Sequence, residues 1–270
     1  MTRALITNDD GIDAPGLHAL ASAAVAAGLD VVVAAPARQS SGSSASILAE
    51  EEDGRIRIER RELPGLEGVP AHAVHGGPGL IALIAARGAF GNPADLVLSG
   101  VNHGANVGRA ILHSGTVGAA LTGGLGGTWG MAVSLDVGIG PERYHWEAGA
   151  DAAARLIPVL LERPRGTVVN VNVPNTARFR GIVEAPLAPF GIVQTTLTES
   201  EEHFVRLAVE DLPLAPAQDS DAARLAEGWV TVTGIDPVSA SPFPLPAHVS
   251  GASASPGPGS PAPSAGSGTR

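Results

Sequence analysis

The chain has 270 residues, 44% of them apolar, and a formal charge of −10. That length suits one large α/β domain, with or without an appended arm, and the apolar share is enough for a sizeable core. With no cysteine and no lysine, disulfides, thiolate metal sites, cysteine nucleophiles and a P-loop lysine are excluded, and the acidic balance opposes binding of long nucleic acids.

Met1-Thr2-Arg3 leads directly into a short apolar stretch. No basic region precedes a long apolar segment, so a signal peptide is not expected. No apolar run reaches the roughly 18 residues of a membrane span. The expected location is the cytoplasm, with no membrane partner.

Residues 3–7 read as a short buried strand, 15–27 as a helix with Pro15 in its first turn, and 29–35 as a second buried strand. This β-α-β opening predicts a parallel sheet. Segment 50–62 mixes both charge signs with alternating Ile and reads as a solvated strand with one apolar face. Strands follow over 69–74, 95–99, 131–135 and 167–173, with helices over 78–88, 115–125 and 146–161. Beyond Pro174, residues 179–210 carry shorter pieces broken by Pro and Gly, and 228–235 is one more strand. Hairpins are expected there rather than more parallel sheet. From about Ser241 the composition is Pro, Ala, Ser and Gly, as in a disordered tail.

Four segments carry candidate chemistry. Thr7-Asn8-Asp9-Asp10-Gly11 follows the first strand, at the carboxyl end where parallel α/β sheets bind ligands. Asp9 and Asp10 repel one another, and a hard cation such as Mg²⁺ or Mn²⁺ relieves that repulsion. The same residues also suit an acidic turn with an Asx hydrogen bond and a helix cap. Arg38 to Ser44 is a hydroxyl-rich turn after the second strand, or simply a flexible polar loop. Ser99 to Gly108 holds three further glycines, with Asn102 and Asn106 offering carbonyl oxygens to a metal and amide donors to a phosphate. His113 to Gly118 opens a helix, where hydroxyls and free N–H groups either bind an anion or merely cap. Acidic ligands, carbonyl oxygens and phosphate-cradling donors on one sheet edge are the parts of a metal-assisted phosphohydrolase.

These blocks resemble the survival protein SurE family. The resemblance runs through Asn8-Asp9-Asp10-Gly11 with Ala14-Pro15-Gly16, Ala35-Pro36 with Ser41-Gly42, Ser99-Gly100-Val101-Asn102 with Gly104 and Asn106, and Ser114-Gly115-Thr116-Val117. Val169-Asn170-Val171-Asn172-Val173-Pro174 and Glu227-Gly228-Trp229-Val230 extend it towards residue 235. It implies a divalent-metal-dependent phosphatase of nucleoside 5′- and 3′-monophosphates, with activity on short polyphosphate. It implies an α/β fold, a Rossmann-like, mostly parallel sheet flanked by helices with a C-terminal β-hairpin extension. The implied organisation is a core over 1–177, a hairpin-rich extension over 178–240 making oligomer contacts, and the tail over 241–270. Carried over, Asp9, Asp10, Ser41 and Asn102 hold one Mg²⁺ or Mn²⁺ per subunit. Asn106, Ser114, Gly115 and Thr116 hold the phosphate, and Asp9 assists the attacking water. His103 and His113 are candidate acids for the leaving group. A homodimer or homotetramer is expected.

The chain also departs from the family pattern. Ala37-Arg38-Gln39 stands where Asp-Arg-Asn is usual, Gly79-Leu80 where an Asp is usual, His113 for a Tyr and Thr122 for a Glu. These positions surround the ligands and orient them, which leaves a second expectation: a metal- and nucleotide-binding protein with little turnover. An aspartyl-phosphate phosphatase is a third reading, though it usually has Asp-x-Asp where this chain has adjacent aspartates.

Overall fold

Apolar and β-branched runs bounded by glycine set the framework of the chain, seen here in a computed structural model. The structure describes residues 1–40, 42, 44–138, 140–189, 194–200, 205–210, 217–236 and 238–244. Strand β1 (Arg3–Thr7) is followed by α1 (Pro15–Ala26) and β2 (Asp30–Pro36). Pro15 opens α1, where its missing N–H costs nothing. Leu17, Leu20, Ala21 and Ala24 repeat at helical spacing and are all buried.

A small antiparallel pair, β3 (Glu51–Glu52) and β4 (Arg55–Ile56), precedes β5 (Ile58–Arg61) and β6 (Ala71–Val74). The charged segment expected as one solvated strand is therefore split. A turn at Asp53-Gly54, both at positive φ, folds its first half back on itself. Then come α2 (Pro78–Ala85), β7 (Leu96–His103), a 3₁₀ helix (Gly108–His113), α3 (Gly115–Leu125) and β8 (Trp129–Asp136). They are followed by α4 (Trp146–Leu161), β9 (Val168–Pro174), β10 (Ile182–Glu184), β11 (Gln194–Ser200), β12 (Val205–Glu210), α5 (Asp221–Ala226) and β13 (Val230–Ile235).

Nine strands form one sheet in the order β10-β13-β9-β8-β7-β1-β2-β6-β5. The six central strands, from β6 to β9, are parallel. Their spatial order is that of a doubly wound sheet, with the chain reversing direction between β1 and β7. Helices α1 and α4 cover one face and α2 and α3 the other. Alternation along β1 feeds both layers: Ala4 and Ile6 join Leu17 and Leu20, while Leu5 joins Val32, Ile81 and Val97. Each fully buried Leu or Ile contributes roughly 1.5–3 kcal/mol of transfer free energy, so both faces are held by hydrophobic burial.

After β9 the pattern changes as expected. Strands β11 and β12 pair as a separate antiparallel hairpin. The main sheet nonetheless continues, since β13 adds antiparallel to β9 and β10 adds parallel to β13. Helix α5 was not foreseen. Its Asp221 is fully buried, and the carboxylate accepts from the backbone N–H groups of Gly108, Ala188 and Ala222, each at 2.8 Å. One side chain thus ties the extension to the loop that follows β7. Met1–Val238 makes one compact unit. In the second unit, residues 239–244 have no regular secondary structure, and the expectation for the tail beyond them lies outside the described residues.

Candidate metal and phosphate site

At the carboxyl end of β1, Asn8 fixes the loop and frees its two neighbours. Its amide nitrogen donates to the Gly11 carbonyl at 3.0 Å, and its amide oxygen accepts from the Gly11 N–H at 3.1 Å. Gly11 sits at φ +106°, a conformation that requires glycine. The Asx turn expected as the purely structural alternative is present, but Asn8 makes it. Asp9 and Asp10 are left to project from a pinned turn.

Asp9 is buried, 6% exposed. Burial pushes its carboxyl above the usual carboxylate range, and repulsion from Asp10 adds to the rise. Thr116 opposes both by donating its hydroxyl to Asp9 Oδ1, and its backbone N–H also bonds the carboxylate. The Asp9 carbonyl accepts from the Ser40 N–H at 2.7 Å, which draws in the loop after β2. Asp10 Oδ2 accepts from the His103 N–H at 3.1 Å and so reaches the end of β7.

Strand β7 runs farther than expected, to His103, because its register with β8 shifts between Ser99 and Asn102. Gly100 lies in that irregularity at φ +132°, where a Cβ would sit 2.2 Å from the Val133 carbonyl oxygen. The shift puts Asn102 beside the two aspartates. Its amide nitrogen donates to the Gly104 carbonyl at 2.8 Å, leaving the amide oxygen as the end that can meet a cation.

Asn106 is the best-held residue of the loop. Its side-chain nitrogen donates to Ser134 Oγ at 2.8 Å and its backbone N–H to Asn172 Oδ1 at 2.7 Å. Its carbonyl accepts from Asn170 Nδ2 at 2.7 Å and Asn172 Nδ2 at 2.8 Å. Ser134, Asn170 and Asn172 are all buried. Sequence reasoning gave these three no role, yet a signal was there: two asparagines at alternate positions of an otherwise apolar strand. Asn172→Ala is expected to leave the part-buried Asn106 N–H without its partner, while Asn170 still serves the Asn106 carbonyl. It should cost about 1–3 kcal/mol, read as a fall in the denaturation midpoint.

Ser114 caps α3, its hydroxyl oxygen accepting from the Val117 N–H at 3.1 Å. Capping and anion binding are compatible here, since the first N–H groups of a helix have no intrahelical partner and favour an anion. The Thr116 hydroxyl, expected to meet a phosphate, donates its one hydrogen to Asp9 Oδ1 in this structure.

Asp9, Asp10, Asn102, Asn106 and Ser114 line one cavity of about 290 Å³, with Gln39, Gly42, His103 and His113. Ser41, the remaining expected metal ligand, lies outside the described residues. No arginine lines this cavity among the described residues. Nor is there, among them, a group of three or more His, Asp or Glu side chains suited to a metal. A cation here would take two carboxylates and neutral oxygens such as that of Asn102, a hard donor set that fits Mg²⁺ or Mn²⁺.

Fold and site together define a doubly wound α/β protein with an aspartate-lined, oxygen-rich cavity at its topological switch point. The family model described as Survival protein SurE matches residues 4–193, and the chain belongs to that family. The 5′-nucleotidase SurE of Symbiobacterium thermophilum is 36% identical over 244 residues, covering 87% of this chain and 92% of that protein. That of Methanopyrus kandleri is 42% identical over 194 residues, 69% of this chain and 72% of the relative. That of Xanthomonas campestris pv. campestris is 38% identical over 177 residues, so the chain matches only 64% of the length of that relative. The crystal structure of the SurE protein from Aquifex aeolicus is similar with a TM-score of 0.71 at 28% identity, covering 87% of this chain and 94% of that one.

Proposed function

We propose that this chain is a divalent-metal-dependent phosphatase that hydrolyses nucleoside monophosphates to nucleoside and inorganic phosphate. The observation that carries the reading is the buried Asp9 beside Asp10, facing Asn102 and the start of α3 across one cavity. The 5′-nucleotidase activity named for the SurE relatives agrees with it.

A Mg²⁺ or Mn²⁺ bound here would supply positive charge and lower the pKa of a water. Asp9, Asp10 and Asn102 would hold it, with Ser41 as the further ligand. Asn106, Ser114 and the N–H of Gly115 hold the phosphoryl oxygens. The donors of Thr116 keep the Asp9 carboxylate oriented. In the reaction the water oxygen bonds to phosphorus while the bond from phosphorus to the ribose oxygen breaks. Asp9 accepts the proton of the water. The leaving oxygen is protonated by His103 or His113, both at the cavity wall.

The altered surroundings are visible too. Thr122 turns its hydroxyl back to the Gly118 carbonyl at 2.7 Å, within its own helix, so it does not replace a carboxylate. Phosphate release from 5′- and 3′-monophosphates of each base, with Mn²⁺ present, tests the proposal. Release above the rate without enzyme from at least one of them is expected. Binding of metal and nucleotide with no release from any would leave a binding protein in place of an enzyme.

A further inference from the structure

The 3₁₀ helix between β7 and α3 and the residue that ends it supply Ala110, His113 and Ser114 to the cavity wall. The opening N–H groups of a helix have no partner within it. Here the first of them, from Gly108, donates at 2.8 Å to Oδ2 of Asp221, which lies 113 positions away at the start of α5. At the other end the Ser114 N–H donates to the Ile111 carbonyl at 3.1 Å. Gly108 to Ser114 is therefore one hydrogen-bonded piece, fastened at its start by a side chain of the C-terminal extension.

Asp221 is itself held on several sides. It is fully buried, and its Oδ1 accepts from the Ala188 and Ala222 N–H groups at 2.8 Å each. Its own N–H donates to the Pro186 carbonyl at 2.9 Å, and Ser220 before it caps α5 by accepting from the Ala223 N–H at 3.3 Å. An apolar contact backs the same join, since Val107 is buried with Ala188, Ala222 and Leu225. Apolar burial is non-directional and would hold α5 against the loop without fixing where the 3₁₀ helix begins. A buried carboxylate is costly unless its charge is met by hydrogen bonds, and such bonds are short, strong and directional.

Resting on the phosphatase reading above, we propose that Asp221 is a positioning residue for phosphate binding. By fixing the start of the 3₁₀ helix it sets Ser114 against the phosphate and His113 against the leaving oxygen. The extension thus completes the site without touching the substrate. Asp9, Asp10 and Asn102 stand on β1, its following turn and β7, so the metal does not depend on this tie.

Asp221→Asn in the full chain tests it. An amide whose oxygen keeps the Ala188 and Ala222 N–H groups turns its NH₂ towards Gly108, so donor meets donor at that one point. Calorimetric titration with inorganic phosphate in Mg²⁺ should show affinity about tenfold weaker, the scale of one lost hydrogen bond to a charged group, while Mg²⁺ affinity stays that of the wild type. Leu225→Ala thins the apolar contact but keeps the carboxylate. It should lower the melting midpoint and leave phosphate affinity unchanged. Wild-type phosphate affinity in Asp221→Asn, an equal loss in both variants, or a matching fall in Mg²⁺ affinity overturns the positioning role. Asp221→Ser also removes the acceptor of Gly108; it takes the place of the amide variant if that one does not fold, and is judged by the same comparison. If the wild type binds no phosphate in Mg²⁺, the phosphate site and the role fall together. If Asp221→Asn loses phosphate affinity as expected but the wild type hydrolyses no monophosphate, the role stands and the phosphatase reading fails. If the wild type hydrolyses a monophosphate and Asp221→Asn binds phosphate as well as it does, the role fails and the phosphatase reading stands.

Discussion

Asp9→Asn is expected to remove hydrolysis while leaving the fold intact. Asparagine keeps the shape, and its amide oxygen still accepts the Thr116 hydroxyl that now meets Asp9 Oδ1. It lacks the charge that a cation needs and the basicity that a water proton needs. Activity should fall by more than the ~10–100-fold typical of losing a group that only orients a metal ligand, and metal affinity should fall with it. The effect on stability has the opposite sign. The Asp9 carboxyl is raised in the folded protein by burial and by Asp10. In the metal-free state its ionisation therefore weakens the fold, starting near the ordinary carboxylate pKa and growing until pH passes the raised value. Metal-free Asp9→Asn should melt no lower than wild type at neutral pH, and any gap should close as the pH falls through the ordinary carboxylate range. A folded Asp9→Asn with wild-type turnover would show that Asp9 is a turn residue only.

Thr116→Val should act through Asp9. Valine keeps the volume but deletes the hydroxyl that donates to the buried carboxylate. The charged form of Asp9 loses a partner, so its carboxyl should rise further and hold a metal less well. A drop of ~10–100-fold in metal affinity or turnover is expected, the range for a group that orients a ligand without touching the metal. Calorimetric titration with Mn²⁺ separates this from a role on phosphate. Unchanged metal affinity with a raised KM would return Thr116 to the phosphate.

The central sheet was legible because parallel strands buried on both faces read as continuous apolar runs. Strands β1, β2, β6, β8 and β9 lie close to the ranges expected for them. The end of β7 was not, because polar Asn102 and His103 look like loop, and only pairing with β8 makes them strand. Helix α5 is six residues long and its buried Asp221 has no local partner beyond Ala222, so nothing periodic announced it. The antiparallel addition of β13 beside β9 depends on tertiary pairing that a strand pattern does not encode.

At the site, local chemistry was readable and long-range pairing was not. The Asn8 to Gly11 turn stood out because the residues that bond are three apart. Thr116 and Asp9 are 107 apart, and Asn106 and Asn172 are 66 apart. Hydroxyl and amide groups at a helix start suit a phosphate and a carboxylate equally well in sequence. Only the packing of α3 against the end of β1 decides which one Thr116 meets.

The central claim is hydrolysis assisted by a metal held at Asp9, Asp10 and Asn102. Inorganic phosphate released from a nucleoside monophosphate, measured in excess chelator and again after adding Mg²⁺ or Mn²⁺, tests it most directly. The account predicts release that falls to the uncatalysed rate in chelator and returns with the added metal. Full release in excess chelator would contradict it.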